Sequence, residues 1–372
     1  FCSLHQEPSG EWIMAYTTID NPGVYFNTVT YTGNVDHSSA NGSQAISGVG
    51  FQPDWVWIKP YVLGYAAGSH NLTDSVRGAG VGLFSDSNSA EYNYGTSANG
   101  GSLIAFGSDG FTLGGASQVN ENSNTYAAWN WLGGGSASSN GNGSITSSLS
   151  ASTTSGFSIV TYTGNGTAGA TVGHGLGSIP KAFIVKVRNT SNEWVVYHAS
   201  LGATKFIELN SSGASQTNST RFNNTEPTSS VFSLGTAAGL NTSSDTHVAY
   251  CFAEKKGFSK FGKYTGNGSS DGTFVYTGFR PAWLMAKNTD AGDHWVIFDN
   301  KRKTINTMTN PLFPNNDSAQ GSSTSYTTDF LSNGFKFGGS DGATNSSGNV
   351  YIYFAFAESP FVNSNGVPTN AR

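Results

Sequence analysis

The residues of this chain that could carry out chemistry are its carboxylates, histidines and cysteines. Asp74, Asp86, Glu91, Asp109, Glu121, Glu193, Glu226, Asp290, Asp293 and Asp299 are the carboxylates a glycosidase would draw on. Such an enzyme needs two carboxyl groups about 5–10 Å apart, one to protonate the leaving oxygen and one to attack or to activate water. No pair among them recurs along the chain or sits in a recognisable motif. Asp109 shares a turn position with Asn333, each before Gly-Phe, which suits a side chain that bonds a turn backbone. The histidines are His5, His37, His70, His174, His198, His247 and His294, and no Gly-x-Ser-x-Gly elbow accompanies them. There is no His-x-His and no Asp-x-Asp-x-Asp-Gly loop for a metal. The two cysteines, Cys2 and Cys251, are too far apart for a zinc site, nothing supports a bond between them, and Cys251 lies in an apolar run that reads as core. The sequence therefore predicts no catalytic residue, no metal and no cofactor.

Composition points the same way. Only 11% of the 372 residues are charged, 13% are aromatic and 48 are glycine. A typical domain carries about 25% charge. Charge-driven disorder, heptad coiled coils and collagen are excluded, and no apolar run reaches the ~18 residues of a membrane span. The net charge of −5, with Lys301-Arg302-Lys303 as the densest basic run, argues against nucleic acid. Phe1–Ile13 has neither the basic nor the apolar part of a signal peptide, and Met14-Ala15-Tyr16 is a candidate start.

The positioning elements are repeated. Tyr-Thr-Gly-Asn occurs at Tyr31–Asn34, Tyr162–Asn165 and Tyr264–Asn267. Each copy leads to a glycine-proline turn and an apolar strand ending in lysine: Gly50 to Lys59, Gly177 to Lys186 and Gly278 to Lys287. Further elements keep the order, and each copy closes with an aromatic strand, Thr125–Trp131, His247–Glu254 or Tyr351–Glu358. This predicts an all-β chain of three tandem antiparallel β-sandwich repeats, jelly-roll-like, with turns every ~8–12 residues. The expected division is an arm over 1–26, repeats over 27–134, 156–256 and 257–360, a Gly/Ser/Asn linker over 135–155 and a tail over 361–372. Trp55, Trp57, Trp129, Trp131, Trp194, Trp283 and Trp295 are the expected core of the repeats. Asp74–Arg77 and Asp299–Arg302 read as equivalent strand-end ion pairs, with His198 and Leu201 in their place in the middle copy. Asn34, Asn165 and Asn267, in the turns after the repeated tyrosine, and His174, in a glycine-flanked loop, are the candidate contacts to a ligand or partner.

From Met14 to Phe361 the chain resembles a family of marine bacteriophage virion proteins, labelled tail-fibre or structural proteins. The likeness rests on Met14–Pro22, Gln52–Lys59, Asp74–Ala79, Phe252–Gly262 and Ala355–Phe361. It implies a non-enzymatic fibre or receptor-binding component on the virion surface, contacting other virion proteins and host surface glycan, alone or as a homotrimer. A capsid decoration protein, anchored by the 1–26 arm, is the alternative. A polysaccharide depolymerase is the third reading.

Overall fold

The computed structural model describes residues 16–36, 39–64 and 68–369, together with the backbone of a two-stranded pair, Leu4–Gln6 with Trp12–Met14. The chain is all-β, built of antiparallel sheets. One strand order occurs three times. In the first module it is Phe26–Thr32, Thr125–Trp131, Trp55–Val62, Asn71–Asp74. In the second it is Phe157–Thr163, Thr246–Phe252, Ala182–Val187, Val195–His198. In the third it is Ser259–Thr265, Val350–Pro360, Phe279–Asn288, Val296–Asp299. The last strand of each module thus pairs with its first. A smaller sheet accompanies each module: Gln44–Ser47, Gly110–Leu113 and Leu103–Gly107; Ala170–Gly173 with Val231–Leu234; and Phe274–Tyr276, Gly334–Phe337 and Thr328–Leu331.

The alternation of side chains along a strand sends successive residues to opposite faces, and here both faces are buried. Val56, Ile58, Tyr126 and Ala128 pack with Ile46, Leu103, Phe111 and Leu113 of the first module's own small sheet. Their neighbours Trp55, Trp57, Trp129 and Trp131 face the other way, into one cluster shared with Ile184, Tyr250 and Phe252 of the second module and Trp283, Met285, Phe354 and Phe356 of the third. The contacts between modules are aromatic: Trp55 stacks on Tyr250 at 4.2 Å, Phe26 on Phe356 at 5.1 Å, and Trp131 meets Trp283 edge-on at 5.7 Å. The tryptophans are buried as expected, but they belong to a common core between modules rather than to separate sandwiches.

One further expectation needs correction. The 135–155 segment is not a linker: Ser138–Asn140 and Ser147–Ser152 are strands that extend the second module's sheet beside Phe157–Thr163. Its Leu149 and Ile145 reach the second module's core, and alternate serines supply the polar face, a pattern that composition alone masks. Over its described part the arm docks on the body of the chain. Ile19 joins the shared core, Tyr25 packs on Phe258 at 6.0 Å, and Asp20 accepts hydrogen bonds from Ser364 of the C-terminal tail. The tail itself is closed by a bridge between Val362 and Pro368.

The repeated Tyr-Thr-Gly-Asn has one structural job in all three modules. It clasps a short turn that precedes the closing strand. Tyr31, Tyr162 and Tyr264 donate to the carbonyls of Val119, Leu240 and Thr344 at 2.7–2.8 Å. The residue after each carbonyl is a buried asparagine, Asn120, Asn241 or Asn345. Its Oδ1 accepts from the N–H of Asn34, Asn165 or Asn267 at 2.9–3.1 Å, and its Nδ2 donates to the carbonyl six residues earlier, that of Gly114, Gly235 or Gly339. The glycine of the motif is needed for close approach: a Cβ on Gly33, Gly164 or Gly266 would lie 2.2–2.3 Å from a carbonyl oxygen of that turn. The glycine of the second motif has a different reason, since Gly50, Gly177 and Gly278 all have positive φ, between 66° and 88°. Replacing Asn241 by Ala orphans the Asn165 N–H and the Gly235 carbonyl. A loss of about 1–3 kcal/mol is expected in urea unfolding, with the same sign for Asn120→Ala and Asn345→Ala.

Candidate functional site

The residues singled out as ligand contacts divide into two groups. Asn34, Asn165 and Asn267 are exposed, but their backbones are held in the clasp just described and lie in three different modules. His174 is fully buried; its ring bonds the Thr228 carbonyl at 3.1 Å and accepts from the Leu176 N–H at 3.2 Å. Burial lowers its pKa. It is a turn-bonding histidine, and it offers no surface to a partner. Asp109 also serves the backbone, accepting from Gly50 and Gly48 at 2.7 and 3.1 Å, which lowers its pKa.

The chemistry-bearing residues gather instead at the boundaries between modules, where the same contacts recur in cyclic order. Lys59, Lys186 and Lys287, which end the apolar strands, are wholly buried. Each reaches a loop of the neighbouring module: Lys59 donates to Asp317 O at 2.8 Å, Lys186 to Asn88 O at 3.2 Å and Lys287 to Ser212 O at 3.0 Å. Four residues before each acceptor is a second one. The His70 ring bonds Phe313 O, Trp194 Nε1 donates to Phe84 O and Trp295 Nε1 donates to Glu208 O, at 2.9–3.0 Å. Module one thus holds three, two holds one, and three holds two.

The expected ion pairs sit at the same boundaries. Arg77 Nε lies 2.5 Å from Asp74 and Arg302 Nε 2.6 Å from Asp299. In both, the other carboxylate oxygen accepts from the N–H groups two and three residues on. The sequence placed these pairs correctly but could not show that they are buried. Their second partners come from the next module. Tyr250 donates to Asp74 at 2.8 Å and Trp129 Nε1 to Asp299 at 3.3 Å. Tyr250 and Trp129 occupy matching places in their closing strands, opposite Ile184 and Trp57. The third such place, opposite Met285, is Phe354, which has no donor. There the acid is replaced by His198, whose ring meets Phe354 edge-on at 5.4 Å and bonds the Tyr353 carbonyl at 3.2 Å. Where the facing aromatic can donate, the partner is a carboxylate; where it cannot, the partner is a ring.

Glu91 extends one boundary into a network, accepting from Arg77 at 3.1 Å and from Arg188 at 2.9 and 3.0 Å. Glu208 feels the charge of a second carboxylate, Glu193. Burial first, and then the Glu193 charge, raises the Glu208 pKa, against the pull of Arg221. Among the described residues no three His, Cys, Asp or Glu side chains come together, and Cys251 is a buried free thiol; Cys2 lies outside the described residues. An open groove of about 300 Å³ runs beside the strands of the supposed linker, lined by Ser139, Thr146, Ser148, Thr161 and Thr246 with Arg188 at its side.

A family model, the domain of unknown function DUF7483, matches residues 21–360. No curated protein and no solved structure matches.

Two measurements test the boundaries. Arg77→Met leaves the buried Asp74 carboxylate without its cation, and a loss of about 3–5 kcal/mol is expected in chemical denaturation. The lysines give a pH signature. Burial lowers the pKa of Lys59, Lys186 and Lys287 from 10.5 to about 8. Below about 8 the cost of burying the charges is fully present. Between there and 10.5 the unfolded chain binds more protons than the folded one, so these groups make stability rise with pH. Urea midpoints should therefore increase from about pH 7.5 to 9.5, below the range where buried tyrosines reverse the trend, and Lys→Met at the three positions should flatten the rise.

Proposed function

The chain belongs to the DUF7483 family, and we propose that it is a structural protein of a bacteriophage virion, a non-enzymatic fibre or receptor-binding component displayed on the particle surface. The observation that carries this reading is where the charges go. Lys59, Lys186, Lys287, Asp74 and Asp299 are buried, and all five are used to join modules. The described part of the chain is a rigid scaffold that carries Ser, Thr, Asn and Gly on its loops, an arrangement suited to holding variable loops toward a partner. The sequence resemblance to virion proteins supplies the setting, with other virion proteins and host glycan as partners. Three modules closed on one another supply within one chain the arrangement a homotrimer would otherwise provide. That repeat also favours the second reading, a head decoration protein, because it matches a position of local threefold symmetry on a shell.

Purified virions labelled with antibody against this chain and imaged by electron microscopy separate the readings. Label at the tail supports the fibre, label over the head at high copy number supports decoration, and particles without label overturn both. Release of reducing ends from host polysaccharide by the wild-type chain, lost in Glu208→Gln, would establish the depolymerase instead.

A further inference from the structure

The three modules share one scaffold, so a residue present in one and missing from the other two is a residue the scaffold does not need. The clearest case is the edge strand of the small sheets. Ile46, Val172 and Val275 are equivalent, each buried and each paired with a phenylalanine, Phe111, Phe232 or Phe335. The positions on either side are exposed in the first and third modules, whereas in the second Thr171 is half-buried and Gly173 buried. They are Ala45 and Ser47 in the first module, Thr171 and Gly173 in the second, and Phe274 and Tyr276 in the third. The two aromatics are 46% and 50% exposed. Leaving such rings half in water forgoes part of the gain from burying them, and two small residues serve the same strand elsewhere.

The rings are part of a row. Phe274 lies over Gly334 of the next strand, where a Cβ would come within 2.9 Å of its Cε2. The Tyr276 hydroxyl is 2.7 Å from that of Tyr16, and the exposed Lys256 ammonium stands 4.4 Å above the Tyr16 ring. The docked N-terminal segment thus lengthens the aromatic edge and brings a cation to its end. The local charge is opposite to that of the whole chain. Residues 254–263 carry Lys255, Lys256, Lys260 and Lys263 against a single acid, Glu254, which pairs with Lys260 at 3.4 Å, in a protein of net charge −5.

We propose that the row Phe274, Tyr276, Tyr16 and Lys256 is a binding site for a carboxylated polysaccharide of the polyuronate type. The C–H faces of the sugar rings lie on the exposed aromatics and a carboxylate pairs with the Lys256 ammonium. The charge complementarity chooses an anionic chain. This deepens the attachment role proposed above and rests on it.

Native affinity electrophoresis of the full chain in gels containing alginate, dextran sulfate or neutral dextran tests the site. The wild type should be retarded by alginate and far less by dextran. Phe274→Ala with Tyr276→Ala should weaken retardation by alginate at least tenfold without changing the melting temperature, and Lys256→Gln should weaken it less and reduce its salt dependence. Ile305→Ala, exposed but outside the row, should behave as wild type. Equal retardation of the double alanine variant and the wild type overturns the proposal, as does retardation by neutral dextran as strong as by alginate. Retardation by dextran sulfate that the alanine changes leave intact, without any by alginate, marks a nonspecific polyanion effect and also overturns it. A double variant that keeps alginate binding but is lost from virions makes the row a protein interface instead. Failure of the site leaves the virion labelling result untouched, so the two proposals fall separately.

Discussion

A sheet whose two faces are both apolar must be covered twice, and the rest of this structure depends on that. The four strands common to each module's main sheet send one set of side chains to the module's own small sheet and the other set to its neighbours. A module cut out alone would keep the first cover and lose the second, leaving tryptophans and phenylalanines in water. The modules are thus units of sequence and topology, while burial makes them parts of one body. Aromatics suit this inner layer because each buries about 150–250 Å² and tolerates tilted and edge-on contact. A packing of unlike modules, where Trp131, Phe252 and Phe356 meet from three strands, needs that tolerance.

Polar contacts give the shared core its order. Apolar surface alone does not distinguish one neighbour from another, whereas a lysine that must find a particular carbonyl does. Burying such a group is costly, and its value lies in register more than in net stability. The exchange of Asp for His198 opposite Phe354 follows from the same logic: a carboxylate without a facing donor would carry an uncompensated cost.

Much of the architecture was legible in the sequence, because repetition does not depend on composition. Three copies of Tyr-Thr-Gly-Asn and three lysine-ended strands announced the modules, and the spacing of Asp74 and Arg77 announced an ion pair. What one chain of letters lacked was the direction of the second face. Trp55-Val56-Trp57-Ile58 reads as core whether its tryptophans meet their own sandwich or a neighbour's. The 135–155 segment escaped because serine strands on an edge look like a linker. His174 reads as a contact in the sequence because a turn residue that binds backbone has the same composition as one that binds a ligand. The aromatic edge at Phe274 and Tyr276 stands out only against the small residues at the equivalent strand positions of the other modules, an equivalence set by strand pairing and not by sequence.

The ring also has an order of assembly. The boundary between the first and third modules joins residues 258 positions apart, Lys59 and Asp317. During synthesis the first module's inner tryptophan layer is covered in part when the second module brings Tyr250 and Phe252 to Trp55, and in full only once the third module, with Trp283 and Phe356, has emerged. Long-range closure of this kind is slow, and exposed apolar surface on a growing chain is prone to aggregation. Until the third module closes the ring, that inner layer is the surface most open to misassociation.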